Sequence, residues 1–343
     1  MAARSFHTTK VEDREVQLRV FLPLVKPEGR PPKPAVVMVC GLLWLGSGVL
    51  GQIGLAFNDG FGYAFARNGV PCVQVHTPSR HLAYTRIMDF TVCLLWPLSW
   101  FYVPRVLLIV GDVIMLSIIV WDILPLLLLP FAGVLGPFAL PVVHLFIRGF
   151  QWLRGDIPGP KRRPHQKEID AAVLWAQQHQ ELLCSNGKLI LCGYSSGGHC
   201  ASLYAGTCAA PPFDSVVLIS GIYGLRTHTW SGFRSLLAPV FDRVFSDILG
   251  VQTNEERDSQ SPDAMIRREF NGQDWYILSA KKELMGLQPF EDILFQPKTL
   301  CDALVAKGAK VHRVTCGLNH WVLVLNIEEF VRPFCEGLGG EKK

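Results

Sequence analysis

The sequence predicts an α/β protein with a mainly parallel central sheet flanked by helices, and three observations carry that expectation. Short continuous apolar runs recur along the chain and alternate with helical stretches, the pattern of strands buried on both faces. One of these runs passes directly into the glycine-bounded pentapeptide Gly193-Tyr194-Ser195-Ser196-Gly197 and then into a helix-like segment. The 343 residues also suffice for a large core without disulfide or metal staples.

The elements follow in order. From Val16 to Leu22, VQLRVFL partly alternates and reads as an early antiparallel strand. A proline-rich loop, KPEGRPPKP, leads to AVVMVC, Ala35 to Cys40, a run suited to a strand covered on both sides. After GLLWLGSG, a helical segment around GYAFARNG precedes a second buried strand within VPCVQVHTP, Val70 to Pro78. The next helix is delayed to about Glu168, where EIDAAVLWAQQHQELL carries a helical apolar stripe. KLILCGYSSGG, SVVLISGIYG, DWYILSAKKE and AKVHRVTCGLNH then read as further strands and the turns that end them. No internal repeat or low-complexity tract interrupts the series.

The interruption lies between Phe90 and Ile147. VLLIVGDVIMLSIIVWDI and LPLLLLPFAGVLGPFALPVVHLFI follow one another there, each near the ~20 apolar residues that cross a bilayer. Asp112 and Asp122 are the interior charges, and Pro125, Pro130, Pro137 and Pro141 disfavour a regular second helix. Strands of one sheet flank the insertion, so it must cross an even number of times or not at all. The preceding FTVCLLWPLSWFYVP is therefore assigned to the interface, where Trp and Tyr are favoured. Arg80, Arg86 and Arg105 precede the hairpin and Arg148, Arg154 and Lys161 to Arg163 follow it, which predicts a membrane-associated chain whose catalytic part faces the cytosol, at the endoplasmic reticulum or another endomembrane. The alternatives are a re-entrant segment and an apolar lid over a pocket. The expected organisation is an α/β part in two pieces, 1–89 and 148–343, around the insertion 90–147.

Composition agrees with this division. The apolar fraction is 49% and mean hydropathy is +0.25, an excess concentrated in the insertion. A net charge of +4 is too mild to argue for a nucleic-acid partner. Ten cysteines show no C-x-x-C pair or metal-ligand spacing, and the N-terminal segment is too polar for a secretory signal peptide. A reducing compartment is expected for the catalytic part.

The chemistry centres on Ser195. A serine on a tight strand-to-helix turn is lifted above the sheet edge, where its flanking positions have room only for glycine. The helix that follows offers N–H groups to developing negative charge. Ser196 is the alternative nucleophile and the better candidate for a backbone donor. A serine needs a base, and His320 in GLNHW follows the last strand, where the base belongs. His144 lies in the insertion and His199 opens the helix after the serine, both less suitable. Glu283, after DWYILSA, is the candidate third member, with Glu291 and Asp292 as competitors from the following loop. The N–H groups of Gly41, Leu42 and Ser196 are the candidate oxyanion donors.

These residues carry a resemblance. VVMVCGLLWLGSG is similar to the HGGGW-type loop of the carboxylesterase and hormone-sensitive-lipase group of α/β-hydrolases, and GYSSGGH resembles their nucleophile elbow. SGIYGL, SPDAM, SAKKE and GLNH keep the same order over roughly residues 15 to 335. Within the group the sequence looks closest to isoprenylcysteine carboxyl methylesterases, which also join this fold to membrane segments. Cys40 stands where the loop usually has histidine, and Glu283 where the triad usually has aspartate. The resemblance implies the α/β-hydrolase fold, a Ser-His-carboxylate esterase without metal or organic cofactor, and, with the insertion, a hydrophobic lipid or prenyl-type ester and the bilayer as partners. A non-catalytic membrane-anchored scaffold, and a lipase or acyltransferase using the same triad, are the competing readings.

Overall fold

The computed structural model describes residues 2–11, 14–24, 31–41, 49–76, 165–208, 211–231, 251–282, 296–319 and 326–338, with single positions between 235 and 249 and at 323 and 324. The whole of 90–147 lies outside the described residues. The chain divides into two compact units, one of Met1–Leu45, Gly51–Arg80 and Pro160–Lys343 and a second of Gly46–Leu50 and His81–Gly159. The sheet belongs to the first unit.

Eight strands form one sheet in the order β1-β2-β4-β3-β5-β6-β7-β8. Strands β1 (Ala2–Val11) and β2 (Arg14–Pro23) make an antiparallel hairpin. β2 runs antiparallel to β4 (Cys72–His76), and every later pairing is parallel. β3 (Ala35–Cys40), β5 (Leu189–Tyr194) and β6 (Ser215–Ile219) are buried at every position, which is why their sequences are continuous rather than alternating. β7 (Asp274–Lys282) and β8 (Lys310–Asn319) complete the sheet.

The strand β1 has no counterpart among the elements expected from sequence. Its burial alternates along AARSFHTTKV, but the period is concealed because Phe6 is on the exposed face while Ser5, His7 and Thr9 occupy the inner one. The charges at Arg4 and Lys10 suit an edge strand, where they discourage pairing with another chain.

Helices cover both faces. Helix α1 (Val49–Arg67) is longer than the segment expected around GYAFARNG. Gly62 within it lies where a Cβ would come within 2.4 Å of the Phe21 ring, so this glycine, which weakens the helical pattern, permits close packing on β2. Helix α2 (His165–Gln178) and the short α3 (Gln180–Leu183) occupy the stretch expected from Glu168. Helix α4 (Ser196–Thr207) follows β5; α5 (Asn254–Gln260) and α6 (Pro262–Met265) precede β7. Helix α7 (Pro297–Ala306) links to β8, and α8 (Ile327–Gly337) lies near the C-terminus.

One apolar cluster joins Val37, Val39, Leu189, Leu191 and Leu218 to Ile169, Ala201 and Tyr204 of α2 and α4. The other joins Val36, Met38, Ile190 and Cys192 to Phe61, Phe65 and Val331 of α1 and α8. Burial of aliphatic side chains at about 25 cal/mol per Å² on both faces holds the layers together.

This strand order fixes where a site can form. After β3 the chain moves to β4 on one side and later returns to β5 on the other. The carboxyl ends of β3 and β5 are thus neighbours at a topological switch point, where open α/β sheets leave a crevice for ligands. Among the described residues no helix is long and apolar enough to cross a membrane.

Candidate active site

Ser195 occupies the turn between β5 and α4 with φ 55° and ψ −123°. This is a conformation L-residues avoid, and its cost is sustained only where the surroundings enforce it. Its N–H donates to the carbonyl of Ile219 at 3.0 Å, and its own carbonyl accepts from His199 and Ile222 N–H groups, each at 3.3 Å. The serine is thereby locked to the end of β6 on one side and to α4 on the other. Ser195 is 4% exposed.

Close approach explains the glycines. A Cβ on Gly193 would stand 2.5 Å from the Gly197 carbonyl, and one on Gly197 would stand 2.1 Å from the Val39 carbonyl. Helix α4 thus crosses directly over β3 and the elbow closes on itself. A Cβ on Gly41 would stand 2.1 Å from the Tyr194 carbonyl and 2.8 Å from the Ser195 Cβ. Gly41, just past β3, and the serine are therefore in direct contact, at the switch point.

Ser196 is the first residue of α4 and is buried. Its position at a helix N-terminus favours negative charge nearby. Of the expected residues the structure brings together Ser195, Ser196 and Gly41. Leu42, Glu283, Glu291, Asp292 and His320 lie outside the described residues. The strands that deliver two of them are seen: β7 ends at Lys282, β8 ends at Asn319, and these two residues are register partners.

His199, four residues past the serine, is turned elsewhere. Its Nε2–H donates to the Gln260 carbonyl at 2.7 Å. Burial pulls its pKa down to about 4, with the Gln260 bond working the other way. A ring held neutral to that extent is a weak acceptor for a serine proton near neutral pH.

Gly41 rests on a polar cluster that no sequence motif marks. Asn58 Nδ2 of α1 donates to the Gly41 carbonyl at 2.9 Å, and Gln74 Nε2 of β4 donates to the Asn58 carbonyl at 2.6 Å. Asp59 pairs with Arg19 of β2 and, at 2.5 Å, with Arg4 of β1. The available signal was a set of polar residues inside apolar runs: Arg19 in VQLRVFL, Asn58 and Asp59 in GLAFNDGF, Gln74 in CVQVH.

Burial pushes the Cys40 thiol up to about 12, against the pull of Arg19. Burial likewise raises Cys72 and Cys192. The nine cysteines among the described residues are free thiols. Among the described residues no group of His, Cys, Asp and Glu is arranged to hold a metal ion.

No protein-family model matches the sequence, and no curated protein matches it. Solved structures do. An esterase structure from Rhizomucor miehei superposes with a TM-score of 0.56 at 12% identity, over 98% of this chain and 82% of that one. Esterase Est22 gives a TM-score of 0.58 at 12% identity, over 99% and 82%. Thermogutta terrifontis esterase 2, in a form phosphoramylated by tabun, gives 0.52 at 13% identity, over 99% and 96%. The chain has the α/β-hydrolase fold. At such identities the likeness is one of fold, and the chemistry rests on the site.

Proposed function

We propose that the protein is a serine carboxylic-ester hydrolase in which Ser195 is the nucleophile, His320 the base and Glu283 the carboxylate that orients it. The observation that carries this reading is the Ser195 backbone, φ 55° and ψ −123°, in a turn pressed against Gly41. A purely structural serine has no need of that conformation, whereas a nucleophile presented at a switch point does. The esterase neighbours support the same assignment.

In the reaction, His320 takes the Ser195 hydroxyl proton as the oxygen attacks the ester carbonyl. The oxyanion formed is met by N–H donors of Ser196 and of the turn at Gly41 and Leu42, and such donors contribute about 100- to 1000-fold each. His320 returns the proton to the leaving alcohol, which leaves an acyl-enzyme. Water, deprotonated by His320, releases the acid and restores Ser195.

The apolar insertion 90–147 supports a substrate that arrives from the bilayer, a lipid ester or a prenylated cysteine methyl ester. The same segment would anchor the chain, with the catalytic part on the cytosolic side of an endomembrane. The test is hydrolysis by the detergent-extracted full chain of short p-nitrophenyl esters, long-chain lipid esters and prenylcysteine methyl esters, beside membrane fractionation of a 90–147 deletion. Preference for the hydrophobic esters and release of the deletion from membranes are expected. Activity confined to short soluble esters would refute the substrate class, and a deletion that stays on membranes would refute the anchor.

A further inference from the structure

We infer that Asn58 is a positioning residue for the oxyanion-binding turn, acting through the Gly41 carbonyl; the inference rests on the hydrolase reading above. Asn58 is 1% exposed in the interior of α1. Asparagine is a poor helix former, and a buried amide costs free energy unless its bonds are made. An apolar residue would serve the helix better, so the amide is explained by what it holds.

It holds the Gly41 carbonyl, through Nδ2 at 2.9 Å. In a trans peptide the N–H lies opposite the C=O across a rigid plane. An anchor on the Gly41 carbonyl therefore fixes the peptide plane that leaves Gly41, at the point where the proposed oxyanion donors begin. Gly41 has no side chain to restrain its own turn, and its contact with Tyr194 and Ser195 forbids one. The restraint has to come from outside the loop.

Asn58 can supply it because α1 is itself tied to the sheet at that point. Gln74 Nε2 grips the Asn58 carbonyl. The adjacent Asp59 is paired with Arg19 and Arg4. Arg19 and Gln74 are register partners across β2 and β4, and Gln74 is partnered in turn by Met38 of β3. The helix, three strands and the turn after β3 thus share one polar brace, with Arg19 also beside the Cys40 thiol.

The experiment compares wild type, Asn58→Asp and Asn58→Leu in hydrolysis of p-nitrophenyl butyrate and in the rate of fluorophosphonate labelling. Asn58→Asp keeps the shape but opposes the Gly41 carbonyl with a second acceptor, and Asn58→Leu fills the space with no donor. Both should lower kcat about 10- to 100-fold, with KM within about 3-fold, because a misdirected donor fails in the transition state. Labelling should slow in parallel, and circular dichroism should show folded protein. Folded variants with wild-type kcat would overturn the assignment, as would a loss expressed in KM alone. Unfolding of both variants would overturn it too, by assigning Asn58 to the fold. A wild type that turns over no ester overturns the hydrolase reading itself, which distinguishes the two failures.

Discussion

Ser195→Ala and Ser195→Gly both remove the hydroxyl, yet their stabilities should differ in the direction opposite to the usual one. In ordinary backbone, glycine is less stable than alanine by about 0.5–1 kcal/mol, because the unfolded chain is freer. At φ 55° and ψ −123° a Cβ carries strain of about 1–3 kcal/mol. Alanine keeps that strain and glycine releases it. Subtracting the entropic penalty leaves Ser195→Gly more stable than Ser195→Ala by about 1 kcal/mol. For a chain of this size that is a Tm higher by about 2 °C, the low end for domains above about 150 residues. Thermal denaturation of the two purified variants reads the difference, and neither has activity to confound it. Ser202, inside α4, supplies the control, since there alanine should be the more stable. An alanine variant equal to or above glycine at position 195 would refute the strained turn and the argument for a presented nucleophile.

Two further outcomes follow from the same geometry. Gly197→Ala would drive a Cβ to 2.1 Å from the Val39 carbonyl, a backbone atom that cannot swing aside. Urea unfolding should show a loss of about 3 kcal/mol, whereas Gly317→Ala, with nothing within 4 Å, should change stability by under about 0.5 kcal/mol. Equal effects would contradict the close crossing of α4 over β3. His199 gives a pH signature. Its pKa falls from 6.5 to about 4 on folding, so between those values the unfolded chain binds the extra proton. Its contribution is fully present above about pH 6.5, declines as pH falls, and reaches its floor near pH 4, a loss of about 3 kcal/mol. His199→Asn should flatten the stability profile in that window, and a profile identical to wild type would refute the buried neutral ring.

The sequence exposed the parts of this molecule whose physics is local. β3, β5 and β6 are legible because a strand covered on both faces has no choice but a continuous apolar run. The elbow is legible because Gly193 answers to Gly197 and Ala201 a few residues further on, although Gly197 itself answers to Val39 of the distant β3. β1 was hidden because an edge strand half in solvent can carry Ser5, His7 and Thr9 on its inner face and expose Phe6, which blurs the apolar alternation. Helix α1 extends beyond its sequence signal in part because Gly62 answers to Phe21 on a distant strand rather than to helix propensity. The brace of Asn58, Gln74, Asp59 and Arg19 was illegible for a related reason: its members come from β2, α1 and β4, and only the sheet order brings them beneath Gly41. His320 and Glu283 stand one residue past strands that pair with each other, which the sequence order alone could suggest but not align.

The most direct test of the hydrolase assignment is fluorophosphonate labelling of the purified full chain, comparing wild type with Ser195→Ala and His320→Ala. An activated serine reacts with the probe and an ordinary one does not. The expected result is strong labelling of the wild type, none of Ser195→Ala, and a loss of at least about 1000-fold in rate for His320→Ala. A folded wild type that does not label, or a Ser195→Ala variant that labels as well as wild type, would contradict it.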